Sequence, residues 1–222
     1  MIKILNYTKN PLSHIGRISG ICYGQTNAKR FRKISERCLK EGHGRVSEFA
    51  DITIEIDGYS AKMIRELYTH VIGTSRVQSS TRYIDYSKQF EYITPKTVSK
   101  DVDALKIWED TMSTINNSMK KLKELGIPVE DLTNMLPLAY TTKMVLKINL
   151  RALIHMFHVR ACTCAYWEYR EFMKELKLIL SSLDEEWEFL SKNYFVPKCI
   201  SNGFCDEITR HCGIRPLKKD LQ

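Results

Sequence analysis

The chain has 222 residues, 43% hydrophobic and 27% charged, the balance of a water-soluble globule long enough to bury a core without disulfide or metal staples. Its 34 Lys and Arg against 26 Asp and Glu leave a formal charge of +8, which favours a polyanionic partner such as a nucleotide, phosphate or nucleic acid. No apolar run approaches the ~18 residues of a membrane span, MIKILNYTKNPL lacks the features of a secretory signal, and an odd seven cysteines argue against a disulfide framework; a cytoplasmic protein without a membrane partner is expected.

No linker, repeat or low-complexity tract divides the chain, so the expectation is one domain over 1–195 and a small Cys-containing appendage over 196–222. Residues 28–39 carry Phe31, Ile34, Cys38 and Leu39 at helical spacing among Lys and Arg, and the pattern halts at Gly42, predicting an amphipathic helix. FADITIEID over 49–57 alternates Ala50, Ile52, Ile54 and Ile56 with Asp51, Thr53, Glu55 and Asp57, the pattern of a half-buried strand. A short helix over 60–70 follows, then a Ser/Thr/Arg-rich segment over 73–87 with no clean period. Leu105, Trp108, Met112, Ile115, Met119 and Leu122 predict a long helix ending at Gly126, with its Met and Trp stripe packed in the core. Alternation over 140–148 predicts a second strand running into Asn149, a good N-cap for a helix over 150–176. Strands and helices intermix without a βαβ rhythm, so the class expected is α+β with an antiparallel twisted sheet flanked by long helices in a single domain.

Two constellations could carry chemistry. On a 100° wheel Arg151, His155, His158 and Cys162 fall within ~60° of one another, either as a solvated face or as the lining for an anionic or heteroaromatic ligand. RVQSSTRY over 76–83 offers two Arg around a run of hydroxyls and an amide, either a plain polar loop or a set of donors for a nucleoside phosphate. Neither GxxxxGK[ST] nor GxGxxG occurs, which excludes a P-loop and a dinucleotide fingerprint.

Together with their flanks, these blocks resemble the flavin-dependent thymidylate synthase family. ILNYTKNP and ICYG are similar to that family's N-terminus, EGHGRVSEFADITIEI to its Gly-His, Glu and strand segment, THVIGTSRVQSSTRYIDYS to its signature, and LPLAYTTKMVLKINLRALIHMFHVRACTCAYWEYRE to its substrate-binding strand and helix. The resemblance implies a homotetramer with FAD at sites built from more than one subunit. It also implies methylation of dUMP with methylenetetrahydrofolate and NADPH, with no nucleic-acid partner. Residue by residue, it implies that Glu66, Leu67, Tyr68, Thr69, Gln78, Ser79, Ser80, Thr81, Arg82 and Asn134 bind dUMP. His43, Arg45, Thr69, His70, Val71, Gln78, Asn149, Leu150, Arg151 and His155 fall at flavin-binding positions, with Glu48 near the flavin. Arg160 matches the Arg that touches dUMP and polarises the uracil ring, the catalytic residue.

That chemistry suits the residue type. Uracil C5 is a poor nucleophile, and a guanidinium that stays charged at any working pH can stabilise negative charge placed on the ring. On the ideal wheel Arg160 lies ~180° from Arg151, so either the helix is distorted there or Arg160 serves another copy of the site. The family's RHR reads THV here, and Arg76 is the candidate to restore the missing positive charge. A dUMP hydroxymethylase is the close alternative, and a non-catalytic flavin- or nucleic-acid-binding protein the alternative of another class, though no recognised nucleic-acid motif is present. Cys199, Cys205 and Cys212, with Cys162 or Cys164, could hold zinc, but the x5 and x6 spacings depart from standard knuckles and favour free or packed thiols; no metal is assigned.

Overall fold

The computed structural model describes residues 1–221. Four strands, β1 (Ile2–Tyr7), β2 (Asp51–Ser60), β3 (Thr74–Gln78) and β4 (Thr141–Asn149), form one sheet in the order β1-β2-β4-β3. Every neighbouring pair runs antiparallel. Thr8 and Asp57 donate their N–H to Asp51 and Met1, Leu150 and Ala61 to Ala50 and Tyr140, and Ser79 and Asn149 to Lys143 and Gly73, so partners fall in number on one strand as they rise on the next. The alternation seen in the sequence has the expected result. Ile52, Ile54, Ile56, Leu146 and Ile148 are fully buried, while on the other face of the sheet Lys143 pairs with Asp57 at 2.9 Å and Lys147 with Asp51 at 3.3 Å.

Nine α-helices are described: α1 (Pro11–Gly20), α2 (Phe31–Lys40), α3 (Ala61–Leu67), α4 (Val102–Glu124), α5 (Val129–Leu132), α6 (Leu150–Arg160), α7 (Trp167–Ser181), α8 (Glu185–Asn193) and α9 (Lys198–Asn202). The chain clusters into two compact units, one of Met1 with 55–69 and 76–145, the other of 2–54, 70–75 and the chain from Leu146 onward.

In the first unit the Ser60 hydroxyl caps α3 by accepting from Met63 N–H, and the Asp101 carboxylate caps α4 by accepting from Ala104 N–H. The stripe on α4 does pack: Met112 and Met119 are buried with Phe90, Leu132 and Tyr140, and Trp108, Ile115 and Leu122 close over them. The helix ends where expected, at Gly126 with φ +81°.

In the second unit α1 lies so close to α2 that a Cβ on Gly16 would stand 1.8 Å from the Phe31 carbonyl oxygen. Phe157 stacks on Phe195 with ring centroids 4.6 Å apart, and Trp187, fully buried on α8, donates from Nε1 to the Thr8 carbonyl at 2.9 Å. Glu186 accepts the Ser13 N–H at 2.9 Å.

Two expectations need correction. The helix predicted over 150–176 is two helices, α6 and α7, separated by the turn 161–166, in which ACTCAY supplies Thr and Cys of low helix propensity and the Arg170 guanidinium takes up the Thr163 carbonyl at 2.9 Å. The aperiodic segment 73–87 contains β3, a five-residue edge strand whose sequence TSRVQ has too few apolar residues to announce itself. β1, α1 and α8 are likewise too short or too polar to stand out from periodicity alone.

Candidate functional site

The N-cap at Asn149 holds the strand–helix junction as expected. Its side-chain oxygen accepts from Ala152 N–H at 2.9 Å, its own N–H donates to the Gly73 carbonyl at 2.9 Å, and Gly73, at φ +75°, comes so near that a Cβ there would sit 2.6 Å from the Asn149 side-chain nitrogen. This contact brings the turn 70–74 against α6. The Thr74 hydroxyl fixes the turn from within by donating to the His70 carbonyl at 2.8 Å.

His70 meets the end of α6. Arg160, its last residue, donates from Nε to His70 Nε2 at 3.1 Å, which makes that nitrogen the acceptor and leaves the ring proton of a neutral His70 on Nδ1. The guanidinium carbon also lies 5.0 Å from the centroid of Tyr169, a fully buried ring on α7 that also flanks His70 at 6.3 Å. His155 approaches His70 edge-on at 5.9 Å. Arg160 is thus oriented by an imidazole and an aromatic face. Tyr169 is the member of this group that sequence reasoning missed; its only signal is its position one helical turn past the 161–166 break.

The other side of α6 faces a second feature. Arg151 lines a cavity of about 480 Å³ with Gly42, Gly44, Ser47, Ile154 and His158. Arg151 Nη1 is held at 2.6 Å by Glu48, and a Cβ on Gly44 would crowd Arg151 Nε at 3.1 Å, so the glycine permits the 42–47 turn to lie against the guanidinium. His158 lies 3.1 Å from the Ser201 hydroxyl and titrates below an ordinary histidine, chiefly because it is half-buried, aided by His155 and Lys198. The predicted stripe is therefore divided: Arg151 and His158 share this cavity, His158 and Cys162 share another, and His155 turns toward His70. His43 lines a separate cavity with Arg37 and Glu41, and Arg45 is exposed.

The candidate nucleotide residues other than Arg160 lie in the first unit, in two stretches and at Asn134. Gln78 donates to the Thr142 hydroxyl at 3.2 Å, Ser80 accepts the Arg82 N–H at 3.2 Å, and Arg82 pairs through Nε with Glu130 at 3.0 Å. Glu130 is a second residue that sequence reasoning missed. Thr133 donates to the Thr81 carbonyl at 2.9 Å, so α5 and the turn after it brace the 78–82 segment, whereas the Asn134 amide is spent on the Glu130 and Asp131 carbonyls. Arg76 lies 4.4 Å over the Tyr68 ring, and the Thr69 hydroxyl donates to the Glu66 carbonyl at 2.7 Å. Leu67 and Leu150 are fully buried, so only their backbone could meet a ligand; Val71 is exposed, and Ser79 is half-buried.

Residues 3–183 match the family described as Thymidylate synthase complementing protein. A protein of Pyrococcus furiosus named flavin-dependent thymidylate synthase is 31% identical over 218 residues, covering 93% of this chain and 89% of its own length. Proteins with the same name from Pyrococcus horikoshii and Clostridium tetani are 33% and 29% identical, covering 93% and 96% of this chain. The match spans both helices of the corrected 150–181 region and the strand before them, and at such coverage it extends to the enzyme class: this chain belongs to the flavin-dependent thymidylate synthase family.

Proposed function

We propose that the protein methylates dUMP to dTMP with FAD as cofactor and methylenetetrahydrofolate and NADPH as co-substrates, as a homotetramer whose sites draw on more than one subunit. The observation that carries this reading is Arg160 held between His70 and the Tyr169 face, a charged fork with its direction fixed before any ligand arrives. In this reading Arg160 places its charge against the uracil carbonyls and stabilises the electron-rich ring. Gln78, Ser80 and Arg82 anchor the nucleotide with Glu66, and Leu67, Tyr68, Thr69, Ser79, Thr81 and Asn134 complete its surroundings. The helix is regular through Arg160, and His155 of the Arg151 stripe meets the same His70 ring as Arg160, so His70 links the two faces of α6.

The donor set of α6 fits a flavin dinucleotide. Arg151 supplies a guanidinium suited to a phosphate, and Gly42 and Gly44 line the same cavity, where they leave the backbone open to approach. His43, Arg45, His70, Val71, Asn149, Leu150 and His155 are assigned to the same cofactor, with Thr69 and Gln78 shared between it and dUMP. When bound, the flavin supplies the hydride that completes the methyl group. The chain's own part is to bind, orient and polarise. Large apolar side chains at the surface, Ile21 at 77% exposure, Ile72 at 89% and Tyr83 at 78%, are consistent with burial between subunits.

The experiment is the visible spectrum of freshly purified protein, followed by the mass of the product formed from dUMP. Blue absorption that responds to dUMP, and a product of dTMP mass, are expected. A product heavier by one oxygen would make the enzyme a hydroxymethylase. A colourless protein that FAD fails to reconstitute would overturn the proposal.

A further inference from the structure

Five of the seven cysteines line one cavity of about 200 Å³. Cys162 and Cys164 come from the turn between α6 and α7, Cys199 from α9, and Cys205 and Cys212 from the chain beyond it. None of the seven is in a disulfide. The function proposed above uses none of them, and three lie beyond the residues that match the family.

The C-terminal segment has little else to hold it. Among the described residues from 196 on, Cys205 is the one buried apolar side chain. Regular structure there amounts to α9, a single bridge between Cys205 and Leu217 and a turn of 3-10 helix at Lys218–Asp220. Ser201 at 3.1 Å from His158 and the Arg210 carbonyl at 3.3 Å from Cys164 fasten this stretch to α6 and the turn after it, and where thiols stay reduced a thiolate-bound metal would add a stronger cross-link at the same place.

The thiols also differ in a way that selects a set of four. Cys164 donates its S–H to the Arg210 carbonyl at 3.3 Å and is already engaged. Cys199 lies within electrostatic reach of Cys205, Cys162 and Cys212, which makes it the common neighbour of the other three.

We propose that Cys162, Cys199, Cys205 and Cys212 form a structural site for a thiophilic divalent ion of the zinc class, fastening the C-terminal segment to the turn after α6. Among the described residues no three donors yet converge on a common point, so binding draws the sulfurs inward by side-chain rotation to the ~2.3 Å of a zinc–thiolate bond. Four thiols lose four protons as the ion enters, leaving a site of net charge −2, on a wall that also carries Arg210 and the Lys198–Asp206 pair. The x5 and x6 spacings follow from a site whose fourth ligand comes from a different part of the chain.

The test is elemental analysis of the full chain purified under reductant, together with a cobalt(II) titration under argon. One zinc ion per chain is expected. Cobalt should give thiolate charge-transfer and tetrahedral d–d bands, read as difference spectra against any flavin and abolished by zinc. Cys199→Ser and Cys205→Ser should lose these bands, while Cys22→Ser and Cys164→Ser keep them. Chelation should expose the C-terminal segment to protease without altering the flavin spectrum. A wild-type chain whose seven thiols all titrate, yet which holds far less than one ion and gives no cobalt bands, would overturn the site, as would a disulfide among the four in reducing buffer.

Discussion

Arg160 combines charge, planarity and a fixed direction, and each has a separate physical source. The charge belongs to the residue type, whereas the direction comes from the hydrogen bond to His70 and the face of Tyr169. Replacing it tests which matters. Arg160→Lys keeps a cation but loses the fork, so turnover of dUMP is expected to fall by about two to three orders of magnitude with the flavin spectrum unchanged. An equal loss of bound FAD would instead make Arg160 a cofactor residue. Arg76 gives a companion experiment. Stacked on Tyr68, it stands next to the stretch where the family's two Arg are replaced by Thr69 and Val71. Arg76→Ala should weaken dUMP binding about tenfold, the loss of one charge-assisted contact, as read by calorimetry. Unaltered affinity for both dUMP and FAD would remove Arg76 from the site.

Elements are set in place by a few caps and ion pairs. Asn149 ends β4 and starts α6 in one step, and its contact with Gly73 sets where the His70 turn lies. Asn149→Ala should cost about 1 kcal/mol of stability in urea unfolding, the usual worth of an N-cap. Gly73→Ala should cost more, since the new Cβ meets the Asn149 amide at a positive φ. At the other end of the chain's helical inventory, Asp85 joins the loop after β3 to α4. The Lys123 ammonium, helped by the Ser87 hydroxyl and N–H, holds its carboxyl at about 2. Because the folded value lies below that of the unfolded chain, near 4, the pair stabilises fully above that range and is lost as pH falls toward 2. Both partners keep solvent contact, so Lys123→Met should remove no more than about 1 kcal/mol at neutral pH and flatten the acid limb of the stability profile between pH 4 and 2.

At the scale of the whole molecule, aromatic packing carries the second unit. Phe195 stacks on Phe157, lies 6.2 Å from Trp187 and is almost fully buried, so Phe195→Ala should destabilise by about 3–5 kcal/mol, with the Trp fluorescence transition reporting it. Assembly is the complementary measurement. Light scattering should give four times the chain mass of 25.9 kDa, and a monomer retaining full activity would contradict a site shared among subunits.

The amino-acid order alone determined the parts governed by local periodicity and local chemistry. The isoleucines of β2, the stripe of α4 and the cap at Asn149 are legible because alternation, helical spacing and a side-chain oxygen before a helix act over a few residues. The motif blocks determined the family for the same reason, since residue types at fixed spacing can be read without coordinates. Only the tertiary structure decided that α6 stops at Arg160, that TSRVQ pairs as an edge strand, and that Tyr169 and Glu130 bear on the candidate site. It also brought Cys162 into one cavity with three cysteines some forty to fifty residues later. Each of these depends on contacts between residues far apart in the chain, whose energy is spread over partners that no short window contains.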